Sequence, residues 1–549
     1  MSSLNEVLAM AGLSEADIPR IVAALVLLVS LAIWKSIKPY HPPKNVPGPP
    51  CKPFVGVLHL IDKNWSTLPD FILSYDQKFG RSWAAPVPNI GLLGSCLFSL
   101  VTEENIKHVL KDEFANYEKG KNVREALGEF LGDGIFTADG PSWKHHRKVA
   151  SQMFSRNLMR NGTTVALRQV KLLVEKLDKL TQPSSTSSTV DMQDMFFRMT
   201  IDVFASIAFG VELDSILSDK PHPFAVAFDE VQNLSQKRFR DPIWRWKRNL
   251  QVRSCEDEAQ RGAKRRATNM IFKRLTDAER RIRKGCKTMK DFAMEVIHSK
   301  RREASNNESM GPDLLSRFLD TKNPFDGEAP GDNELRDIVM NFMIAGRDTT
   351  ACALSWTLYE LAKNPEVCVK VVEEIQQVCN GGDAAASRSR TFSDAEYSYE
   401  NIGNLTYTHA VAMEVLRLHP SVPVDIKFAV KADKLPDGTF IPAGSSVLYS
   451  PYAMGRNEKI WGVDAKKFKP ERFVDDGKIS EPSQYKFTTF NAGYRLCLGK
   501  PLAMLEIKLA LAMLLPRFKF SIANGHKGGY QSTLVLPMAP ELMMTVTKR

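Results

Sequence analysis

Apolar residues in this chain recur mostly at the three-and-four spacing of buried helix faces, over stretches too long for strands. The longest pattern runs from Asp332 to Lys363, DNELRDIVMNFMIAGRDTTACALSWTLYELAK, and Asn364-Pro365 closes it. At 1.5 Å per residue such a helix is about 48 Å long, enough to cross a whole domain. A shorter helix is predicted over Thr406 to Leu418, ending before Pro420. Between Asp425 and Ser450 the pattern changes to DIKFAV, LPDGTFIPAG and SSVLYS, short strands with turns at Asp437-Gly438 and Ala443-Gly444. The charged run Gly262 to Gly285 reads as a solvated helix. Asn380 to Ser389 and Ser299 to Asp332 lack a period and read as surface loops. The expectation is a mainly α chain with a small β portion.

Near the amino terminus, IVAALVLLVSLAIW (Ile21 to Trp34) carries no charge and is apolar on every side of a helix. With Arg20 and Lys35 snorkelling, residues 18–37 reach the roughly 20 positions that span a bilayer. Glu6, Glu15 and Asp17 precede this run, and Lys35, Lys38 and Lys44 follow it, which places the carboxyl side in the cytosol. No small-x-small cleavage site follows. The chain therefore divides into a short lumenal tail at 1–17, a transmembrane signal anchor at 18–37, a proline-rich hinge at 38–50 and one body at 51–549.

The formal net charge is +11, but the 74 Lys and Arg are interspersed with 63 Asp and Glu and form no stripe. Nucleic acid is accordingly not an expected partner, and an anionic lipid surface or an acidic protein suits the excess better. The eight cysteines include no CxxC pair and no dense spacing of the secreted disulfide type, which points to a reducing compartment.

One of those cysteines has distinctive neighbours. Cys497 stands in FNAGYRLCLGK (Phe490 to Lys500), immediately before the breaker-free apolar helix pattern PLAMLEIKLALAMLLPRF. Unpaired amides at a helix start stabilise a thiolate, and the glycines Gly493 and Gly499 let backbone approach a flat ligand closely. A haem answers that description, with Arg495 placed to pair with a propionate and Phe490 to shield the sulfur.

At these residues the chain resembles the cytochrome P450 superfamily, whose loop carries Phe, Gly, Arg, Cys and Gly at the spacings of Phe490, Gly493, Arg495, Cys497 and Gly499. The resemblance implies the fold of that family, a triangular helical prism with haem b between the long central helix and the cysteine-loop helix. It further implies O₂ as co-substrate and Cys497 as the iron ligand. On the long helix, AGRDTT (Ala345 to Thr350) resembles the oxygen-binding motif. Gly346 is expected to thin the helix beside the iron, with Asp348 and Thr349 as acid and alcohol. Activating O₂ at the haem needs protons, and a hydroxyl backed by a carboxylate can hold the water chain that delivers them. Some fatty-acid hydroxylases of the superfamily carry, at the position of Ala345, a glutamate that becomes esterified to the haem, so no such link is implied here.

Glu414 and Arg417 share one helix face, and Arg472 in PERF resembles the third member of a structural network in the family. Trp143 and Arg147 in WKHHR resemble its propionate-binding pair. His145 and His146, being adjacent, cannot share a face and are expected to be exposed and not to bind metal.

Three further segments look most like the plant and fungal fatty-acid ω-hydroxylase clan: Leu131 to Gly140, Ala227 to Phe239 and Pro420 to Gly444. They imply oxidation of a long-chain fatty acid at its terminal methyl, in a channel drawn from Phe130 to Phe136, Val422 to Val424 and Thr533 to Leu536. No Gly-rich dinucleotide fingerprint follows a strand, so electrons from NADPH are expected through a separate membrane-bound flavoprotein reductase at the endoplasmic reticulum. In-chain fatty-acid, alkane, terpenoid or sterol hydroxylation is the alternative within the family, and a haem-binding membrane sensor without turnover the alternative outside it.

Overall fold

The structure is a computed structural model and describes residues 42–549 apart from 43, 54, 88–95, 182–188, 242, 252–267, 307–312, 323–326, 380–395 and 524, together with 23, 24, 27, 28, 30 and 31. Most of the expected anchor 18–37 and the loop Asn380 to Ser389 therefore lie outside the described residues, among which no helix is long and apolar enough to cross a membrane.

The longer helices, in chain order, are α1 (Leu68–Phe79), α2 (Gly120–Leu131), α3 (Gly140–Ser151), α4 (Arg156–Leu180), α5 (Met192–Phe209), α6 (Pro223–Ser235), α7 (Thr268–Ser305), α8 (Asp332–Lys363), α9 (Pro365–Cys379), α10 (Thr406–Leu418) and α11 (Lys500–Leu514). Both α8 and α10 have the predicted bounds. Asp332 and Glu334 sit in the first turn of α8 and Lys363 in its last, complementing the helix dipole. The body of α8 is buried on nearly all sides because it packs on α5, α7, α10 and α11 at once.

The β portion centres on a sheet ordered Trp83–Pro86, Cys96–Ser99, Ser446–Tyr449, Asp425–Ala429, Tyr117–Glu118, in which the pairing of Cys96–Ser99 with Ser446–Tyr449 is parallel and the rest antiparallel. Pro47 accepts the Ala84 amide at 2.8 Å, and a Cβ on Gly48 would stand 2.0 Å from the Ala84 carbonyl oxygen. The second half of the expected hinge is thus docked on the first strand and belongs to the body.

Two expectations need correction. Ser299 to Ser305 continues α7, and Leu314–Leu319 is a short buried helix whose start is fixed by Asp313 accepting the Ser316 amide at 2.9 Å. Its leucines and phenylalanine supply the burial that a loop would lack. Nor is the charged run before Gly285 simply a solvated helix. From Thr268 onward it belongs to α7, which lays Ile282, Cys286 and Met289 against α6, so closely that a Cβ on Gly285 would meet Val231 at 2.5 Å, while 262–267 lie outside the described residues.

Two large apolar clusters share α8. Leu335 to Ile344 packs with α2, α6 and α7, and Ala351 to Leu361 with α4, α5, α10 and α11. Between them, Ala345, Gly346 and Thr349 are only half-buried, because there α8 borders a cavity.

Candidate active site

The cavity has a volume of about 520 Å³, lies between the middle of α8 and the loop before α11, and is walled mainly by apolar side chains. All three stretches expected to line a channel contribute to it, through Leu131, Ile135 and Phe136, through Val422 to Val424, and through Thr533 to Val535.

Cys497 forms part of the wall. Its amide donates to the Phe490 carbonyl at 2.8 Å, folding the loop back on itself, and α11 begins three residues later with Pro501 in its first turn. The side chain is accessible, yet it is surrounded by protein, so the sulfur is open to the cavity and not to bulk water. Burial pushes its thiol up, while the amides of Gly499 and Lys500 and the charges of Arg147 and Lys500 favour the thiolate. Phe490 lines the cavity beside it, with the Lys500 ammonium 5.7 Å from the ring centre.

Two of the glycines have packing tasks within the protein. Gly493 has φ +61°, and a Cβ there would lie 2.1 Å from the Leu110 carbonyl oxygen, so the residue permits the loop to press on Leu110. A Cβ on Gly499 would meet only the Cys497 sulfur, at an ordinary 3.8 Å. At Gly346 a Cβ would come within 1.9 Å of the Phe204 ring, so the helix is thinned there to admit that ring.

One region of the wall is polar. On α3, Trp143 is buried and Arg147 lies 5.8 Å from its ring centre; both line the cavity. Arg495 lies 4.7 Å from the same ring, and its Nη2 donates to the Asp139 carboxylate at 2.7 Å and the Ala138 carbonyl at 2.9 Å. Its Nε is buried without a partner, and Arg147 has no carboxylate partner among the described residues.

Sequence reasoning missed the adjoining cluster. Asp425 accepts from Lys119, from Lys427 at 3.0 Å, from the Tyr449 hydroxyl at 2.9 Å and from Asn491 at 3.2 Å. Burial works against its charge, and Lys119 and Lys427 overcome that, holding Asp425 well below the ordinary carboxylate range. Two charged residues at i and i+2 of an otherwise apolar strand were the available signal, since they must share one face.

On α8 the acid and the alcohol part company. Thr349 faces the cavity, its hydroxyl donating to the Ala345 carbonyl at 2.7 Å. Asp348 is not part of the cavity wall: one oxygen accepts from Arg347 at 3.0 Å and the other is buried without a partner. Arg347 in turn makes a two-pronged bond to Asp229 on α6 at 2.5 and 3.0 Å. Burial pushes Asp348 up to about 6, against the pull of Arg347. A second carboxyl also went unnoticed in the sequence: Glu506 of α11 lines the cavity, and burial alone pushes it up to about 8.

Behind the loop, Glu414 and Arg417 are fully buried and joined at 2.6 and 2.7 Å, and Arg472 reaches Glu414 at 3.4 Å. Arg417 also donates to the Ala465 carbonyl at 2.5 Å, and the Leu416 carbonyl receives the Thr489 hydroxyl at 2.8 Å, tying α10 to the base of the cysteine loop. The expected exposure fails for both histidines: His146 is buried with Nε2 3.6 Å from Glu334, and His145 is half-buried. His146 lies three residues after Trp143 and so shares the buried face of α3. Among the described residues no group of three or more His, Cys, Asp or Glu is placed to hold a metal ion.

The family model described as Cytochrome P450 matches residues 46–543. The chain belongs to the cytochrome P450 family. It is 34% identical to Cytochrome P450 704B1 of Arabidopsis thaliana, over 92% of this chain and 96% of that protein. It is 35% identical to Cytochrome P450 86B1 of the same plant, over 96% and 91%, and 32% identical to Cytochrome P450 94A1 of Vicia sativa, over 84% and 83%. As a cytochrome P450 the protein is a monooxygenase, and the family implies a haem-thiolate iron cofactor and O₂. The residues present fit that group: a sulfur open to an apolar cavity, amides that favour its anion, and two guanidinium groups with unused donors for a pair of carboxylates.

Proposed function

We propose that this cytochrome P450 hydroxylates long-chain fatty acids at the terminal methyl, with electrons from NADPH delivered by a separate membrane-bound flavoprotein reductase. We place its body in the cytosol, held by residues 18–37 at the endoplasmic reticulum membrane. The observation that carries the substrate class is the mainly apolar wall of the cavity, with Val424, Phe239 and Trp65 in its lining, which accepts a hydrocarbon chain. The likeness of Leu131 to Gly140 and Pro420 to Gly444 to the ω-hydroxylase clan supports the terminal position.

Haem b bound through Cys497 supplies O₂ activation, with thiolate electron donation favouring O–O cleavage. In this reading the Gly499 and Lys500 amides keep the ligand anionic, and Phe490 keeps water from it. Arg147, Arg495 and Trp143 hold the propionate side. Thr349 presents its hydroxyl to the reacting end of the cavity, Asp348 is the acid one residue away, and Ala345 leaves room between helix and substrate. Glu414, Arg417 and Arg472 hold the cysteine loop in position. A methyl group reacts only if it is held close while weaker C–H bonds are kept away, which requires a narrow channel.

The test is product analysis with the full-length holoenzyme, a plant NADPH-dependent reductase and fatty acids deuterated at the terminal methyl. Terminal alcohols are expected. Oxidation confined to inner carbons, or turnover only of substrates without a carboxylate, would overturn the proposal.

A further inference from the structure

A fatty acid with its methyl beside Thr349 must leave its carboxylate away from the cysteine loop, where the lining is mainly apolar and offers it no cation. The cations near the sulfur do not serve, because Arg147, Arg495, Lys119 and Lys427 gather at the cofactor side. In an apolar cluster that includes no residue of the cysteine loop, two short segments meet. The helix Leu58–Lys63, with the turn Trp65–Thr67 after it, contributes Ile61 and Trp65 to the wall, and the turn Gln236–Phe239 contributes Gln236 and Phe239.

Each segment places a charged residue directly after a lining residue, Asp62 after Ile61 and Arg240 after Phe239. The Arg240 guanidinium lies 5.3 Å from the Trp65 ring centre, and its Nη1 donates to Asp62 at 2.8 Å. Its Nε and Nη2 have no partner among the described residues. Asp62 is 69% exposed at its side chain, against 29% for Arg240, so the acid can turn into water while the arginine stays on the tryptophan face. The neighbouring Arg238 is unavailable, since Glu129 and Glu279 neutralise it in the interior.

We propose that Arg240, backed by Trp65, anchors the carboxylate of a long-chain fatty acid at the rim of the cavity, with Asp62 as the counter-ion that occupies it when no substrate is bound. The proposal rests on the fatty-acid reading above and makes it more specific. Arginine suits this task because its planar fork keeps two donors free for a carboxylate while one nitrogen is engaged elsewhere. An acid is thereby distinguished from an ester or alkane of the same length.

The experiment measures substrate-induced spin shifts of the full-length holoenzyme with hexadecanoic acid and with its methyl ester, in the wild type, Arg240→Gln, Arg240→Lys and Asp62→Asn. Arg240→Gln should weaken binding of the acid about tenfold, the loss of one charge-assisted contact, and leave the ester unchanged. Arg240→Lys should recover part of the loss, and Asp62→Asn should tighten the acid alone. Equal weakening of acid and ester in Arg240→Gln would mark a structural role and overturn the anchor. An unchanged affinity for the acid would reduce the pair to a rim contact and overturn it as well, while a wild-type shift with the acid kept the fatty-acid reading standing. No shift of the wild type with either ligand would remove the fatty-acid reading and the anchor with it.

Discussion

Replacing Gly346 with alanine separates two accounts of why α8 is thin beside the cavity. The added Cβ would lie 1.9 Å from Cδ2 of Phe204 and 2.1 Å from its Cγ. Ordinary carbon contact is about 3.5 Å, so the ring would have to retreat by about 1.6 Å. Phe204 is 5% exposed, stacked on Phe342 at 6.5 Å and set edge-on to Phe209 at 6.0 Å, so its one way out is into the cavity it borders. Overpacking of this kind costs about 1–3 kcal/mol. Denaturant unfolding of the purified holoprotein reads the loss. In a Phe204→Leu background the same alanine should cost at least about 1 kcal/mol less, the coupling expected of residues in contact. If Gly346→Ala leaves stability unaltered but abolishes hydroxylation, and trimming Phe204 restores nothing, then the glycine makes room for cofactor or oxygen and the packing argument is wrong.

Arg417→Leu strands the fully buried Glu414 carboxylate and should cost about 3–5 kcal/mol, seen as a lower denaturation midpoint and reduced haem content after purification. Thr349→Ala should uncouple NADPH consumption from product formation, and an unchanged coupling ratio would dismiss the role given to that hydroxyl. Glu506 is raised from 4.5 to about 8, so the folded protein keeps a proton that the unfolded chain releases. The associated stability is complete below about pH 4.5 and is lost as pH climbs through about 8. Glu506→Gln, which cannot ionise, should flatten that slope in denaturation midpoints measured across the window.

The features legible in the sequence were those set by local rules. Capping charges and a proline stop delimited α8, alternation and glycine turns marked the strands after Asp425, and loop spacing singled out Cys497. The direction of Asp348 was not legible: successive helical residues point about 100° apart, yet Ala345 and Gly346 both border the cavity, and it is Asp229 and Arg347 on the opposite side that draw Asp348 away. The burial of His146 was legible and was overlooked, three positions from Trp143 on the buried stripe of α3. Other features depended on distant partners. Lys119 and Asp425 are 306 positions apart, and no local pattern announces that they meet. Phe204 likewise explains Gly346 only once α5 is packed on α8, and Asp62 finds Arg240 across 178 positions.

The account stands on the sulfur of Cys497 binding iron, and a reduced carbon-monoxide difference spectrum of wild type and Cys497→Ser tests that most directly. The wild type should give the red-shifted Soret band of a thiolate-ligated haem, and the serine variant should lose it together with hydroxylation. The same red-shifted band in Cys497→Ser, at full haem content, would contradict the assignment of the ligand and of the site built around it.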